Sequence, residues 1–147
     1  MEIIKIEAHN TDYITDIVNY ETEIFGDGSI GRWTIMPFVR YGKIYAMIDN
    51  NEVISAVELM KAFDNEEVYI YGFFTKEKYS GNGYGSELLK FTINEMRKNK
   101  VEVLSLTVDP KNEEKKNLYF KHDFKEVELL EEEYGKGEDR LYLKLVL

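Results

Sequence analysis

The sequence predicts an α/β fold of the α+β kind: one domain over residues 1–147, built on a mixed, mostly antiparallel central sheet flanked by helices. Period-two alternation recurs along the chain, as half-buried strands require. Segments of helical period interrupt it. One strand-to-helix junction is built from glycines, and that order of strand, glycines and helix is the informative one. The 147 residues are 44% hydrophobic and 32% charged with 2 Pro and 10 Gly, which excludes disordered, collagen-like and low-complexity chains. A chain of this size can bury about 69% of its surface, enough for one real core.

The elements follow in order. Residues 1–7 alternate Ile3, Ile4 and Ile6 with Glu2, Lys5 and Glu7 and read as a strand. Asn10 to Phe25 reads as a helix with Ile14, Ile17, Val18, Ile24 and Phe25 on its core face, stopped by Gly26. From Gly26 to Arg40, glycines mix with Trp33, Ile35, Met36 and Phe38; this is a loop or short helix, either a lip of a site or a lid on the core. Tyr41–Asp49 and Glu52–Lys61 alternate as two strands around a hairpin turn of Asp49, Asn50 and Asn51. Val68–Thr75 is a further strand. Tyr79–Gly85 is the glycine-rich turn, and the helix after it runs to about Asn99 with Leu88, Leu89, Thr92, Ile93 and Met96 inward. Val101–Val108 is a strand ended by Asp109 and Pro110. Asn112 is a good N-cap, and Glu113 and Glu114 suit the positive end of a helix that continues through Tyr119 to about His122. Phe124 to about Leu130 and Arg140–Leu147 close the chain as strands around a polar turn with Gly135 and Gly137.

Composition narrows the chemistry. There is no Cys, which removes disulfides, thiol nucleophiles, iron–sulfur clusters and Cys-based zinc sites. His9 and His122 have no partners at ligand spacing, so no metal is expected. The net charge is −9 with no Lys/Arg stripe, so a nucleic-acid surface is not expected, and cationic or amine substrates gain weight. No apolar run approaches the ~20 residues of a membrane span, and the first residues lack the apolar core of a signal peptide. A cytoplasmic protein without membrane contact is the expectation.

The junction YSGNGYGSELL places Gly81, Gly83 and Gly85 where free N–H groups and the helix dipole favour an anion. Its GxGxG spacing fits neither the dinucleotide fingerprint nor a Walker loop. By itself such a turn serves structure or ligand.

The segment from Tyr71 to Phe124 resembles the GNAT superfamily of acyl-CoA-dependent N-acyltransferases. The resemblance rests on the turn Ser80, Gly81, Asn82, Gly83, Tyr84, Gly85 between a strand and a helix, and on LTVDPKNEEKKNLYFKHDF downstream, where Asn112 and Tyr119 fall seven apart. Three positions depart from the pattern: Ser80 stands for the usual Arg or Gln, Asp123 for a Gly, and Lys115 for an Ala. Asp tolerates positive φ. Lys115 either reaches cofactor phosphates or is solvated, and solvation is the expectation.

The resemblance implies acetyl-CoA as co-substrate, without a metal. It implies that Phe73, Phe74 and Thr75 offer backbone groups to pantetheine, and that an N–H near Phe74 or Thr75 polarises the thioester carbonyl. Gly81, Asn82, Gly83, Tyr84, Gly85 and Ser86 would hold the pyrophosphate. Asn112 and Tyr119 complete the donor site, with Tyr119 as the acid that protonates the leaving thiolate. The places where relatives often carry a Glu base fall on Tyr71 and Thr107; Glu58, read as an exposed structural Glu, or a water chain are the substitutes. The expected function is acetyl transfer to a primary amine, a peptide or amino-acid α-amine or another small amine, by direct attack. The ending YGKGEDRLYLKL is also similar to acetyltransferases acting on protein N-terminal amines. A non-catalytic acyl-CoA sensor or interaction module of the same fold is the alternative. The amine, the acyl chain length and the oligomeric state, a homodimer included, stay open.

Overall fold

The computed structural model describes residues 1–26 and 29–147. Its strands are β1 (Glu2–Lys5), β2 (Lys43–Asp49), β3 (Glu52–Lys61), β4 (Glu67–Thr75), β5 (Val103–Val108), β6 (Lys125–Leu130) and β7 (Arg140–Val146). Its helices are α1 (Thr11–Phe25), α2 (Arg32–Tyr41), α3 (Tyr84–Lys98) and α4 (Glu113–Lys121). The sheet order is β1-β2-β3-β4-β5-β7-β6, with β4 and β5 parallel and the β1–β2, β2–β3, β5–β7 and β6–β7 pairs antiparallel. This is the mixed, mostly antiparallel α/β sheet that the sequence predicts.

The chain clusters into two compact units: Met1–Met60 with Gly72–Leu89, and Lys61–Tyr71 with Lys90–Leu147. The first unit is built on the β1–β2–β3 meander. Asn50 and Asn51, at φ 49° and 60°, close the β2–β3 hairpin with two left-handed residues, which Asn tolerates better than most. Ile6, Ile14, Ile17, Ile35, Ile44 and Val53, all fully buried, anchor its core together with Phe74.

Of the alternatives for the stretch between α1 and β2, a loop or short helix, the structure has a helix, α2, whose Ile35, Phe38 and Val39 are buried while Trp33 is exposed, so its apolar groups cover the core. Two expectations in this unit need correction. Tyr41 ends that helix and does not begin the strand. Asp27 and Gly28 of that stretch lie outside the described residues. On α1, Ile24 and Phe25 are about half exposed, and Glu21 takes the core position in line with Ile14 and Ile17. The helix stripe thus ends in a buried carboxyl group.

In the second unit, β4 pairs with β5 from Glu67↔Val103 to Ile70↔Leu106, and β7 pairs along the whole of β5. Leu104, Leu106, Leu143 and Phe124 are buried there. Asn112 caps α4, its Oδ1 accepting from the Lys115 N–H at 3.1 Å. Asp123 follows α4 at φ 70°, the left-handed position where the resemblance has a glycine. β6 is solvent-exposed along nearly its whole length. Among the described residues, no helix is long and apolar enough to cross a membrane.

Candidate functional site

In the first unit, β4 ends at Thr75, a single 3₁₀ turn follows at Glu77–Tyr79, and α3 starts at Tyr84. This places Phe73, Phe74, Thr75 and the whole glycine turn in one compact body. The segment after β4 is pinned by charge. Lys76 is buried and its Nζ lies 2.8 and 2.9 Å from the two Asp16 carboxylate oxygens of α1 and 3.3 Å from Glu52. Lys78 reaches the same Glu52 at 2.6 Å, and the Tyr79 hydroxyl donates to its other oxygen. The Lys78 ammonium and the Tyr79 hydroxyl together hold the Glu52 carboxyl down to about 2. The Glu77 N–H donates to the Tyr20 hydroxyl at 3.1 Å. A cavity of 560 Å³ opens beside this network, lined by Asp16, Tyr20, Glu23, Glu52, Lys76 and Glu77 among others.

The glycine turn is shaped by its own hydrogen bonds. The Ser80 hydroxyl donates to the Glu77 carbonyl at 2.8 Å, and the Asn82 amide donates to the Tyr79 and Ser80 carbonyls at 3.0 and 3.3 Å. Ser80, which stands for the usual Arg or Gln, is therefore spent on the turn itself. Asn82 is likewise a structural brace. Gly81 and Gly83 both adopt φ +80°, which disfavours any Cβ, and nothing lies within 4 Å of where a Cβ would stand. The space over the turn is open. The first N–H groups of α3, those of Tyr84 and Gly85, have no partner four residues back within the helix, and the helix dipole adds partial positive charge there. This arrangement fits a phosphate. Gly85 differs: a Cβ there would come within 3.0 Å of Thr75 Oγ1 and 3.7 Å of Phe73 Cε1, so its glycine allows α3 to start against the end of β4.

Glu58 corrects another expectation. It is not exposed but buried on β3, and one carboxylate oxygen lies 2.1 Å from where a Gly72 Cβ would stand. Burial raises its carboxyl above the ordinary range, opposed by a hydrogen bond with Glu21. Two carboxyl groups in such contact do not both ionise. The other oxygen, Oε2, is buried with no hydrogen-bond partner among the described residues.

In the second unit, Tyr119 sits on α4, 3% exposed, with its ring edge against Phe124 at 5.5 Å between centroids. Burial pushes its phenol well above the ordinary value, and the neighbouring Tyr69 adds to the rise. Tyr69, which the sequence did not single out, donates to or accepts from Thr107 at 2.7 Å and meets the Tyr134 hydroxyl at 3.4 Å. Burial raises the Tyr69 phenol too. Thr107 is thus partnered by Tyr69, two residues before the Tyr71 position expected to face the reaction. Lys115 is half-buried on α4. Among the described residues no cluster of three metal-ligating side chains occurs.

A family model described as "Acetyltransferase (GNAT) family" matches residues 12–124. Solved structures share the fold over nearly the full chain. Aminoglycoside 6'-acetyltransferase type Ii is 15% identical with a TM-score of 0.85, covering 99% of this chain and 97% of the other. The ribosomal-protein-S18-alanine N-acetyltransferase from Escherichia coli is 19% identical at TM-score 0.80, covering 99% and 92%. A GNAT family acetyltransferase from Elizabethkingia anophelis with acetyl-CoA bound is 21% identical at TM-score 0.80, covering 99% and 97%. No curated protein matches the sequence.

Proposed function

We propose that this chain, which belongs to the acetyltransferase (GNAT) family, transfers an acetyl group from acetyl-CoA to a primary amine of low pKa, such as a peptide or amino-acid α-amine. The observation that carries the reading is the open, left-handed pair Gly81 and Gly83 at the start of α3, in one body with the end of β4. When bound, acetyl-CoA supplies an activated thioester and a thiolate leaving group. Tyr84 and Gly85 N–H groups at the helix start hold the pyrophosphate, with Gly81, Asn82, Gly83 and Ser86 shaping the space around it. Backbone groups of Phe73, Phe74 and Thr75 receive the pantetheine arm. Asn112 fixes the start of α4, which carries Tyr119. The part proposed for Tyr119 is to protonate the leaving thiolate. Its raised phenol stays protonated across the physiological range and so always holds the proton it must give.

The amine preference rests on what surrounds Thr107. No carboxylate stands at Tyr71 or Thr107, and the phenol bound to Thr107 is itself pushed up, so strong base catalysis has no source there. A lysine-type amine of pKa ~10.4 needs roughly 4.6 kcal/mol to lose its proton at pH 7, whereas an α-amine near ~7.8 needs about 1.1. A weakly basic site serves only the second. At pH 7, a peptide with a free N-terminus and blocked lysines should outcompete spermidine for acetyl transfer, and the gap should narrow at pH 9. Faster acetylation of spermidine at pH 7 would overturn the preference and turn attention to the Glu58–Glu21 pair as a proton acceptor. Tyr119→Phe should lower kcat by about 10² to 10⁴ with a much smaller change in acetyl-CoA affinity, since the proton is needed only as the thiolate forms. Wild-type kcat in that variant would remove Tyr119 as the acid.

A further inference from the structure

β3 carries a hydroxyl where a buried strand has no need of one. Ser55 is fully buried, and its Oγ lies 2.7 Å from the Phe74 carbonyl oxygen and 3.0 Å from Thr75 Oγ1. Serine has one proton to give. That proton goes to the carbonyl, so the Thr75 hydroxyl must donate to Ser55, making a directed chain from Thr75 Oγ1 through Ser55 Oγ to the Phe74 carbonyl. Each bond in such a chain polarises the next.

The consequence lies on the other side of the same peptide. The peptide between Phe74 and Thr75 is trans, so the Thr75 N–H points opposite to the Phe74 carbonyl. The next N–H, that of Lys76, donates back to the Ile54 carbonyl of β3 at 2.9 Å, which fixes the alternation. Thr75 N–H is therefore aimed at the edge of β4 remote from β3, and the parallel ladder with β5 includes β4 only as far as Ile70. A hydrogen bond received at the carbonyl draws electron density through the amide and sharpens the N–H as a donor. Thr75 Oγ1 also sits where a Cβ on Gly85 would come within 3.0 Å, so the chain touches the first turn of α3.

We infer that Ser55 is a positioning residue of the acyl-donor site: through the Phe74–Thr75 peptide it sets the direction and strength of the Thr75 N–H, which hydrogen-bonds a carbonyl oxygen of the donor's pantetheine–thioester arm. The inference rests on the donor reading of β4 made above. It assigns to a fully buried side chain on β3 a part in binding that neither the glycine turn nor the strand end requires of it.

The test compares wild type with Ser55→Ala and with Ser55→Cys, which keeps the size and a weaker donor, using CoA and acetyl-CoA as probes. Ser55→Ala should weaken donor recognition by up to about 5-fold, the net worth of the one neutral hydrogen bond from the Thr75 N–H that Ser55 aims, with Ser55→Cys between. An equal weakening toward CoA and acetyl-CoA supports an amide carbonyl of pantetheine as the partner; a loss confined to kcat supports the thioester carbonyl. The Thr75 amide nitrogen resonance should move in ligand-free Ser55→Ala, because the carbonyl bonded to that nitrogen has lost its donor. Val53→Ala, a cavity in the same strand, should lower Tm without moving either readout, which separates positioning from stability. If wild type binds CoA, and Ser55→Ala and Ser55→Cys bind and turn over as wild type does with an unmoved Thr75 resonance, the inference is wrong. If wild type binds no CoA, the function reading fails and takes the inference with it.

Discussion

Two glycine environments in the first unit are chemically opposite. At Gly81 and Gly83 the backbone is left-handed and the space a side chain would take is open, whereas at Gly72 that space is filled by the buried Glu58 carboxyl. In the first case glycine leaves the space beside it open. In the second it makes room for the chain's own group. Sequence shows only the letter, so a glycine-rich turn and a strand glycine look alike until their neighbours are known.

Breaking the open environment should have the largest effect. Gly83→Val places a branched side chain in the space over the turn and forces it into φ +80°, at a cost of about 1–2 kcal/mol in stability. The folded variant should lose the thermal stabilisation that CoA gives wild type, about 2.7 kcal/mol at 100 times the dissociation constant. A retained shift would make the turn structural only.

The filled environment should respond in stability and not in ligand affinity. Gly72→Ala brings a Cβ 2.1 Å from the Glu58 carboxyl and should cost about 1–3 kcal/mol of overpacking. Glu58→Ala combined with Gly72→Ala should cost less than the two single losses added together, because removing the carboxyl relieves the clash. Strict additivity in denaturant unfolding would mean that the two do not compete for one space.

The smallest effect concerns the ion pairs that pin the segment between these environments. The Glu52 carboxyl, held down to about 2 by Lys78 and Tyr79, favours the folded state while it is ionised. That contribution is complete above pH 4.5, where the unfolded carboxyl titrates, and is lost as the pH falls through about 2. Glu52→Gln should therefore lower Tm at pH 6 and converge with wild type near pH 2. A constant difference across that range would show that the pairs add nothing to stability.

Much of the framework was legible because it is written in local patterns. The Asn50–Asn51 hairpin, the Asn112 cap and the positive φ of Asp123 each follow from what one side chain does to its own backbone. What stayed hidden depends on residues distant in sequence. Glu21 sits at a core position of α1 because Glu58, on β3, meets it there, so the apolar pattern that named Ile24 and Phe25 as core misplaced the end of the stripe. Tyr69 was missed because its partner Thr107 lies on a neighbouring strand and the ladder ends at Ile70↔Leu106, so alternation alone could not say which tyrosine of β4 faces it. Ser80 shows the converse. Its identity departs from the family pattern, and the structure explains the departure by a local bond to Glu77.

The central claim is that the chain binds acetyl-CoA and uses it. The most direct measurement follows free thiol released from acetyl-CoA in the presence of a panel of peptides and small amines, with Gly83→Val alongside. Thiol release that requires both protein and amine, is fastest with α-amines and is lost in Gly83→Val is the predicted result. CoA binding without thiol release for any amine would contradict it and leave an acyl-CoA sensor with an acetyltransferase fold.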